Sequence, residues 1–133
     1  MSTDFSIVHP EEVPTAQFDT CETQVRKLTE PLGAVELRVN QVLVEPGEVT
    51  TPHTHEGQEE VFIAMTDGQI SIDGEVHEVP AGGVVRVHPD TVRNLCNHTE
   101  NHTEETHVWL AFGAPPVGSV DDFGAYVVVD EDE

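Results

Sequence analysis

Apolar and polar residues alternate along much of the chain from residue 34 onward. Val35, Leu37 and Val39 are separated by Glu36 and Arg38, which is the period-two pattern of a half-buried strand. Further apolar runs of strand length follow at residues 42–44, 60–65, 70–72, 76–79, 84–87, 107–112 and 126–129. No stretch longer than about ten residues keeps the apolar spacing of a helix. The pattern therefore predicts an all-β fold, either a barrel or a sandwich.

Turn-forming residues separate these runs. Asp73-Gly74 is a strong signal for a two-residue β-hairpin between its flanking apolar runs. Residues 49–55 form a further candidate strand, which Pro52 restricts to an edge or bulged position. Residues 97–105 are polar and predict a loop.

The first 33 residues do not share the alternating pattern. Pro14 and Pro31 interrupt a weak periodicity, and we expect one short strand near residues 23–28. The chain is therefore interpreted as an N-terminal arm packing on the barrel (1–33), a barrel core (34–114), and a C-terminal strand with an acidic tail (115–133). At 133 residues, one domain with a real core is expected.

The charge is strongly negative, with 26 acidic against 5 basic residues and a formal net charge of -21. Such a field repels nucleic acid and anionic membranes, so neither is an expected partner. The alternating strands argue against the disorder that excess acid usually signals. We interpret the acidic surface as that of a halophilic protein working in concentrated salt, where screening suppresses self-repulsion.

Nothing at the N-terminus resembles a signal peptide, and no apolar run reaches the length of a membrane span. We expect a cytoplasmic protein. Cys21 and Cys96 have no zinc-binding or redox spacing, so two free thiols are expected.

His53 and His55 are two residues apart, and Glu60 follows five positions later. On a strand, residues i and i+2 point to the same face, so both imidazoles can aim at one point. Glu60 can approach that point from a neighbouring strand. Two imidazoles and a carboxylate can bind a divalent metal. The alternative is a solvated turn with one of the many acidic residues nearby.

The segment containing these residues resembles the first motif of the cupin superfamily. That motif has a glycine, five residues, His-x-His, three or four residues, a glutamate, six residues and a glycine. Gly47, His53, His55 and Glu60 match it, and Gly68 is one residue late. The resemblance covers residues 34–114 and implies a small single-domain cupin of type 2, a jelly-roll β-barrel. It also implies a homodimer.

The second cupin motif is matched less fully. Gly82 and Asn97 fit, whereas His88 takes the position of a proline, Asp90 that of a glycine and Arg93 that of a histidine. In metal-binding cupins this histidine completes a site of three histidines and one glutamate. An arginine stays cationic and offers a metal no lone pair.

Two interpretations of the site remain open. In the first, His53, His55 and Glu60 bind a divalent transition metal (Fe, Mn, Ni or Zn), and Arg93 holds an anionic group of a small-molecule ligand, with His88 a further candidate for binding it. The resemblance then implies a metal-dependent dioxygenase or isomerase. In the second, the metal is lost, Arg93 pairs with Glu60, and the protein is a non-catalytic, metal-free cupin that binds a small ligand.

Overall fold

The computed structural model describes residues 4–18, 21–98, 105–115 and 126–129. A 3-10 turn (Pro10–Glu12) and one short helix, α1 (Thr29–Leu32), are the helical segments within these residues. The strands in the same residues are β1 (Ala16–Gln17), β2 (Gln24–Lys27), β3 (Arg38–Val44), β4 (His53–His55), β5 (Glu59–Ala64), β6 (Gly68–Ile72), β7 (Glu75–Val79), β8 (Val84–Val87), β9 (Arg93–Cys96), β10 (His107–Ala114) and β11 (Tyr126–Val128). The prediction of an all-β fold is confirmed. None of the helical segments in the described residues is long and apolar enough to span a membrane.

The strands form two antiparallel sheets. One has the order β1-β2-β3-β10-β5-β8, and the other has the order β11-β4-β9-β6-β7. An apolar core lies between them, centred on Trp109, which is fully buried and meets Phe62 edge to face at 6.1 Å between ring centroids. Strands of both sheets contribute to this core, including Val42 on β3, Ile70 on β6 and Leu95 on β9.

The predicted Asp73-Gly74 hairpin is confirmed. These residues join β6 to β7, and their φ angles of 52° and 86° are those of a tight turn with two left-handed residues. Two predicted strands near the chain ends are confirmed as well, because β2 falls within residues 23–28 and β11 within residues 126–129. β2 pairs with β3 of its own chain, so this part of the arm extends a sheet. The tail from residue 130 and most of the polar loop lie outside the described residues.

The alternation over residues 35–39 indicated a strand but gave the wrong start. Val35 is 69% exposed and Leu37 is 38% exposed, and β3 begins only at Arg38. The side chains on the opposite face, those of Arg38 and Asn40, line an internal cavity instead. Polar residues face inward here because, at this end, charged groups rather than apolar core residues lie between the two sheets.

Candidate functional site

Glu60 is at the centre of a buried charge cluster. Glu60 is the second residue of β5 and is 3% exposed. Arg38 Nη2 donates to Glu60 Oε2 at 3.2 Å, and Arg93 Nε donates to Glu60 Oε1 at 3.1 Å. Burial alone would raise the pKa of Glu60, but His55, Arg38 and Arg93 together hold that pKa below its usual value. Glu60 is therefore an ionised carboxylate with a guanidinium on each oxygen.

The two histidines of β4 face this carboxylate from the other sheet. Their rings lie edge to face with centroids 4.8 Å apart, and His55 Nε2 is 3.6 Å from Glu60 Oε1. His53 Nδ1 lies 2.7 Å from the carbonyl oxygen of Thr51, so this nitrogen carries the proton and Nε2 keeps its lone pair. Burial lowers the pKa of His53, and it lowers the pKa of His55 to about 3. Both imidazoles are consequently neutral at pH 7.

His53, His55 and Glu60 thus converge, and their ligand atoms all lie within 4.8 Å of one another. Glu60 approaches the two histidines from the facing sheet, whereas the sequence predicted an approach from a strand next to β4. Two neutral imidazoles and a carboxylate are donors that suit a divalent transition metal. The guanidiniums of Arg38 and Arg93, which already pair with Glu60, would repel such a cation.

Arg93 lies directly opposite His53 in the pairing of β4 with β9. It is fully buried, and its Nη1 donates to the carbonyl oxygen of Thr91 at 2.7 Å. Its Nη2 is buried and has no hydrogen-bond acceptor among the described residues. Arg93, which was predicted to bind a ligand, therefore forms an ion pair with Glu60 in the structure. His88, the other candidate, is exposed in a turn, where its Nδ1 accepts from the backbone N–H of Asp90, and it is not among the residues that line the cavity described below.

Arg38, Gln58 and Gly113 belong to the site and were not identified from the sequence. Arg38 and Glu60 both pair with Gly113, one from each side, because β10 lies between β3 and β5. A Cβ at residue 113 would lie 2.7 Å from Arg38 Nη2 and would also collide with Gln58. The missing side chain lets Arg38 cross β10, where it also donates to Gln58 Oε1 at 2.7 Å. The signal that could have identified Arg38 is an arginine at an inward-facing position of a strand, directly opposite a glycine on the neighbouring strand.

A cavity opens beside this cluster and has a volume of about 490 Å³, including the part open to solvent. One group of its lining residues is charged or polar and includes Arg38, Asn40, His53, His55 and Glu60. The other group is apolar and consists of Phe18, Val42, Phe62, Leu95 and Ala111. Cys21, from the N-terminal arm, also contributes to the lining. The cavity therefore has one charged and polar side and one apolar side.

No protein-family model matches the chain, and no curated protein matches it by sequence. Several solved structures are similar to this chain over most of their length. A cupin protein from Bacteroides fragilis has a TM-score of 0.68 at 19% identity, covering 86% of each chain. A Cupin 2 conserved barrel domain protein from Salinispora arenicola has a TM-score of 0.66 at 22% identity, covering 82% of this chain and 87% of its own.

The chain has the cupin fold. A third cupin-like structure, the polyketide cyclase RemF from Streptomyces resistomycificus, has a TM-score of 0.71 at 20% identity and covers 96% of this chain and 88% of its own. At these identities the similarity establishes the cupin fold and carries no activity with it. The chemistry of this cupin fold must come from its own site residues.

Proposed function

We propose that this protein binds a small organic anion in the cavity of its cupin fold and needs no resident metal to do so. The observation that carries the proposal is the charge of the cluster. Arg38 and Arg93 bring two positive charges to one carboxylate, Glu60, and the two nearby imidazoles are neutral. An anion in the cavity would meet the guanidinium of Arg38, which lines the cavity, and a guanidinium forms strong charge-assisted hydrogen bonds with a carboxylate.

Arg93 provides independent support. Its Nη2 is a buried cationic donor without an acceptor among the described residues, and buried donors in native proteins nearly always have one. A carboxylate from a ligand would add acceptor oxygens and negative charge to the same cluster.

The overall charge of -21 does not prevent anion binding. Surface charges act on a ligand through water, where salt screens them within about 8 to 10 Å at moderate ionic strength. The guanidiniums of Arg38 and Arg93 are almost entirely buried, so salt weakens their attraction for a bound anion much less. Of the two, Arg38 lines the cavity and would contact an anion that enters it.

A second function is favoured by the three donor atoms within 4.8 Å of one another, namely a metal-dependent enzyme of the dioxygenase or isomerase type. His53, His55 and Glu60 would hold the divalent transition metal, and the metal when bound would supply Lewis-acid or dioxygen-activating chemistry. His53 is suited to this role, since its Nδ1 proton is fixed on Thr51 and its Nε2 keeps a lone pair. This function ranks second because Glu60 already pairs with two guanidiniums, which would repel a metal cation.

Titration calorimetry on untagged protein, treated with EDTA and dialysed, separates the two functions. We expect acetate and oxalate to bind without metal and neutral acetamide not to bind. Arg38→Gln should weaken anion binding at least about tenfold, because it removes the guanidinium that lines the cavity. Arg26→Gln is the matched control, since Arg26 lies on β2, bonded to the carbonyl of Val13 and to Gln41 and outside the cavity lining.

Anion binding that occurs only after one equivalent of Ni²⁺ or Zn²⁺ has bound would overturn the proposal in favour of the second function. Elemental analysis of the protein before EDTA treatment also distinguishes the two functions. A near-stoichiometric transition metal that is lost in the His53→Ala, His55→Ala double variant supports the enzyme. Metal-free protein that binds acetate supports the anion-binding function.

A further inference from the structure

The six-stranded sheet is apolar on both of its faces. Its inward face, with Phe62, Trp109 and Ala111, forms part of the core. The alternate positions of the same strands point outward, and the strand register sets them in rows. We call the apolar members of these rows the outer apolar face, which consists of Leu43, Val61, Ile63, Val84, Val108, Leu110 and Phe112.

The outer apolar face is accessible to solvent. Val84 is 65% exposed, and the other members are half-buried. Antiparallel strands with one face in water alternate apolar and polar side chains, whereas strands covered on both faces are apolar throughout. Residues 108–112 of β10 are apolar without a break, as expected of a strand that is covered on both faces.

The other sheet shows the alternation expected of a face in water. Ile70 of β6 points into the core, and the positions on either side of it, Gln69 and Ser71, are polar. Gln69 pairs with Glu78 on β7 and donates to its carboxylate at 2.9 Å. The apolar outward surface is therefore a property of the six-stranded sheet and not of the fold as a whole.

The charge of this outward surface differs from that of the whole chain. Within the described residues, the outward positions of β2, β3, β10, β5 and β8 hold one acidic residue, Glu59, and two basic residues, Arg26 and Arg86. The chain as a whole has 26 acidic and 5 basic residues. Two copies with a net charge of -21 repel each other over most of their surfaces, so this surface is where they can approach.

The surface has the size that a stable dimer needs. Strands lie about 4.8 Å apart and residues rise about 3.4 Å, so these five strands project an area of about 500 Å². The accessible area is larger than this projection, because side chains stand upright from a sheet. It therefore approaches the roughly 600 to 1,000 Å² that each partner buries in a specific interface.

We propose that the outer apolar face packs against the same face of a second copy of this chain and forms a two-fold dimer. A second copy fits because the surface is complementary to itself. Apolar rows meet apolar rows, and the exposed ion pair of Glu59 and Arg86 brings both signs of charge to each side. The dimer is separate from anion binding, since the residues of the outer apolar face lie outside the cavity lining.

Sedimentation equilibrium of the untagged full chain measures the association. In 2 M KCl at about 10 μM, the wild type should have twice the 14.6 kDa mass of the chain. Leu110→Glu adds a carboxylate to the middle of the face in each copy and should weaken the dimer at least about a hundredfold. Val84→Glu adds the same charge at an exposed position of the edge strand β8 and should weaken the dimer at least about tenfold.

Val76→Glu is the matched control for Val84→Glu. Val76 is also an exposed valine on an edge strand, 44% accessible, but it belongs to the other sheet. The substitution adds the same charge and should leave the dimer unchanged. Far-UV circular dichroism checks that each variant is folded, and if Leu110→Glu is not, the comparison of Val84→Glu with Val76→Glu still decides.

The salt dependence gives a second measurement. Acidic surfaces push the two copies apart and apolar side chains hold them together, so raising KCl from 0.5 to 2 M should tighten the wild-type dimer. A dimer that weakens over this range would be held by charges, and this would overturn the proposal.

Two further outcomes would overturn the proposal as well. A wild type that stays monomeric at 100 μM in 2 M KCl would leave the outer apolar face to a different partner or to solvent. A dimer that Val84→Glu and Val76→Glu weaken equally would have its interface elsewhere. None of these outcomes bears on acetate binding in the cavity, which tests the proposed function through other residues.

Discussion

Arg93 lies directly across from His53 where β4 pairs with β9, and its guanidinium reaches over to Glu60 on the other sheet. Residues directly opposite in an antiparallel pair point to the same face. An imidazole in place of Arg93 would therefore be directed into the space that His53, His55 and Glu60 share. The single arginine both supplies a cation and occupies the position of a further nitrogen ligand.

Arg93→His should consequently raise the affinity for divalent metal. The change removes one buried positive charge and adds a neutral nitrogen donor, so we expect Zn²⁺ or Ni²⁺ to bind at least about tenfold more tightly than in the wild type. Calorimetry with each metal measures this, and Arg26→His controls for an added histidine elsewhere. Unchanged metal affinity in Arg93→His would contradict the view that Arg93 suppresses metal binding.

Gly113→Ala should destabilise the fold by about 1 to 3 kcal/mol, the usual cost of overpacking. The new Cβ would collide with Gln58 and lie 2.7 Å from Arg38 Nη2. Urea denaturation measures the loss. In a double-mutant cycle, Gln58→Ala should recover part of it, because the shorter side chain vacates the space nearest the new methyl group. Strict additivity of the two substitutions would show that the space is not shared.

His55 should make the fold sensitive to acid. Its pKa is about 3 in the folded chain against 6.5 when unfolded, so below pH 6.5 the unfolded chain takes up a proton that the folded chain does not. Stability is then lost as the pH falls from 6.5 toward 3, whereas above 6.5 both forms are neutral and the effect vanishes. Between pH 7 and 5 we expect the wild type to lose about 2 kcal/mol more than His55→Gln. Urea denaturation at each pH, in EDTA, checks this, and parallel curves would refute it.

Concentrated salt should stabilise the protein. With a net charge of -21, self-repulsion of the surface is strong in dilute buffer, and molar salt shortens the screening length to about 3 Å. We expect the midpoint of thermal unfolding to rise steadily from 0.1 to 2 M KCl. Neutralising the exposed residues Glu36, Glu56 and Glu75 to glutamine should reduce this rise. A midpoint that does not depend on salt would remove the basis for a halophilic interpretation.

The two free thiols should differ in reactivity. Cys96 is 1% exposed, and burial raises its pKa to about 11, whereas Cys21 is partly exposed and lines the cavity. A thiol reagent such as DTNB should label the folded protein at one position, and Cys21→Ser should abolish that label. Labelling of both cysteines at equal rates would contradict this assignment.

Much of the fold could be predicted from local patterns. The Asp73-Gly74 turn and the apolar runs around it follow from backbone geometry that acts over a few residues, so the β6–β7 hairpin could be placed correctly. His53 and His55 could be identified because their spacing places both on one face of a strand, and Glu60 because it lies at the start of the next apolar run. The predicted start of β3 was wrong because Val35 and Leu37 alternate with polar residues, as core residues of a strand do, and yet are exposed.

The rest of the site depends on pairing between distant strands. Arg38, Gly113 and Glu60 are far apart in the chain, and nothing local says that they share one row. Before the register is known, Arg38 is the polar member of an alternating pair and Gly113 is a residue at the end of an apolar run. For the same reason, the sequence leaves open whether Glu60 binds a metal or forms a salt bridge. The answer depends on where two guanidiniums lie in space.

The carboxylate of Glu60 joins two layers of the protein, because Arg38 reaches it from its own sheet and Arg93 from the opposite one. At this end the layers are held by ionic contacts, and elsewhere by interlocking apolar side chains. Amide protons of β4 and β9 should therefore exchange with deuterium faster than those of β6 when Glu60 is changed to glutamine, since separation of the layers would begin where their ionic link has been weakened.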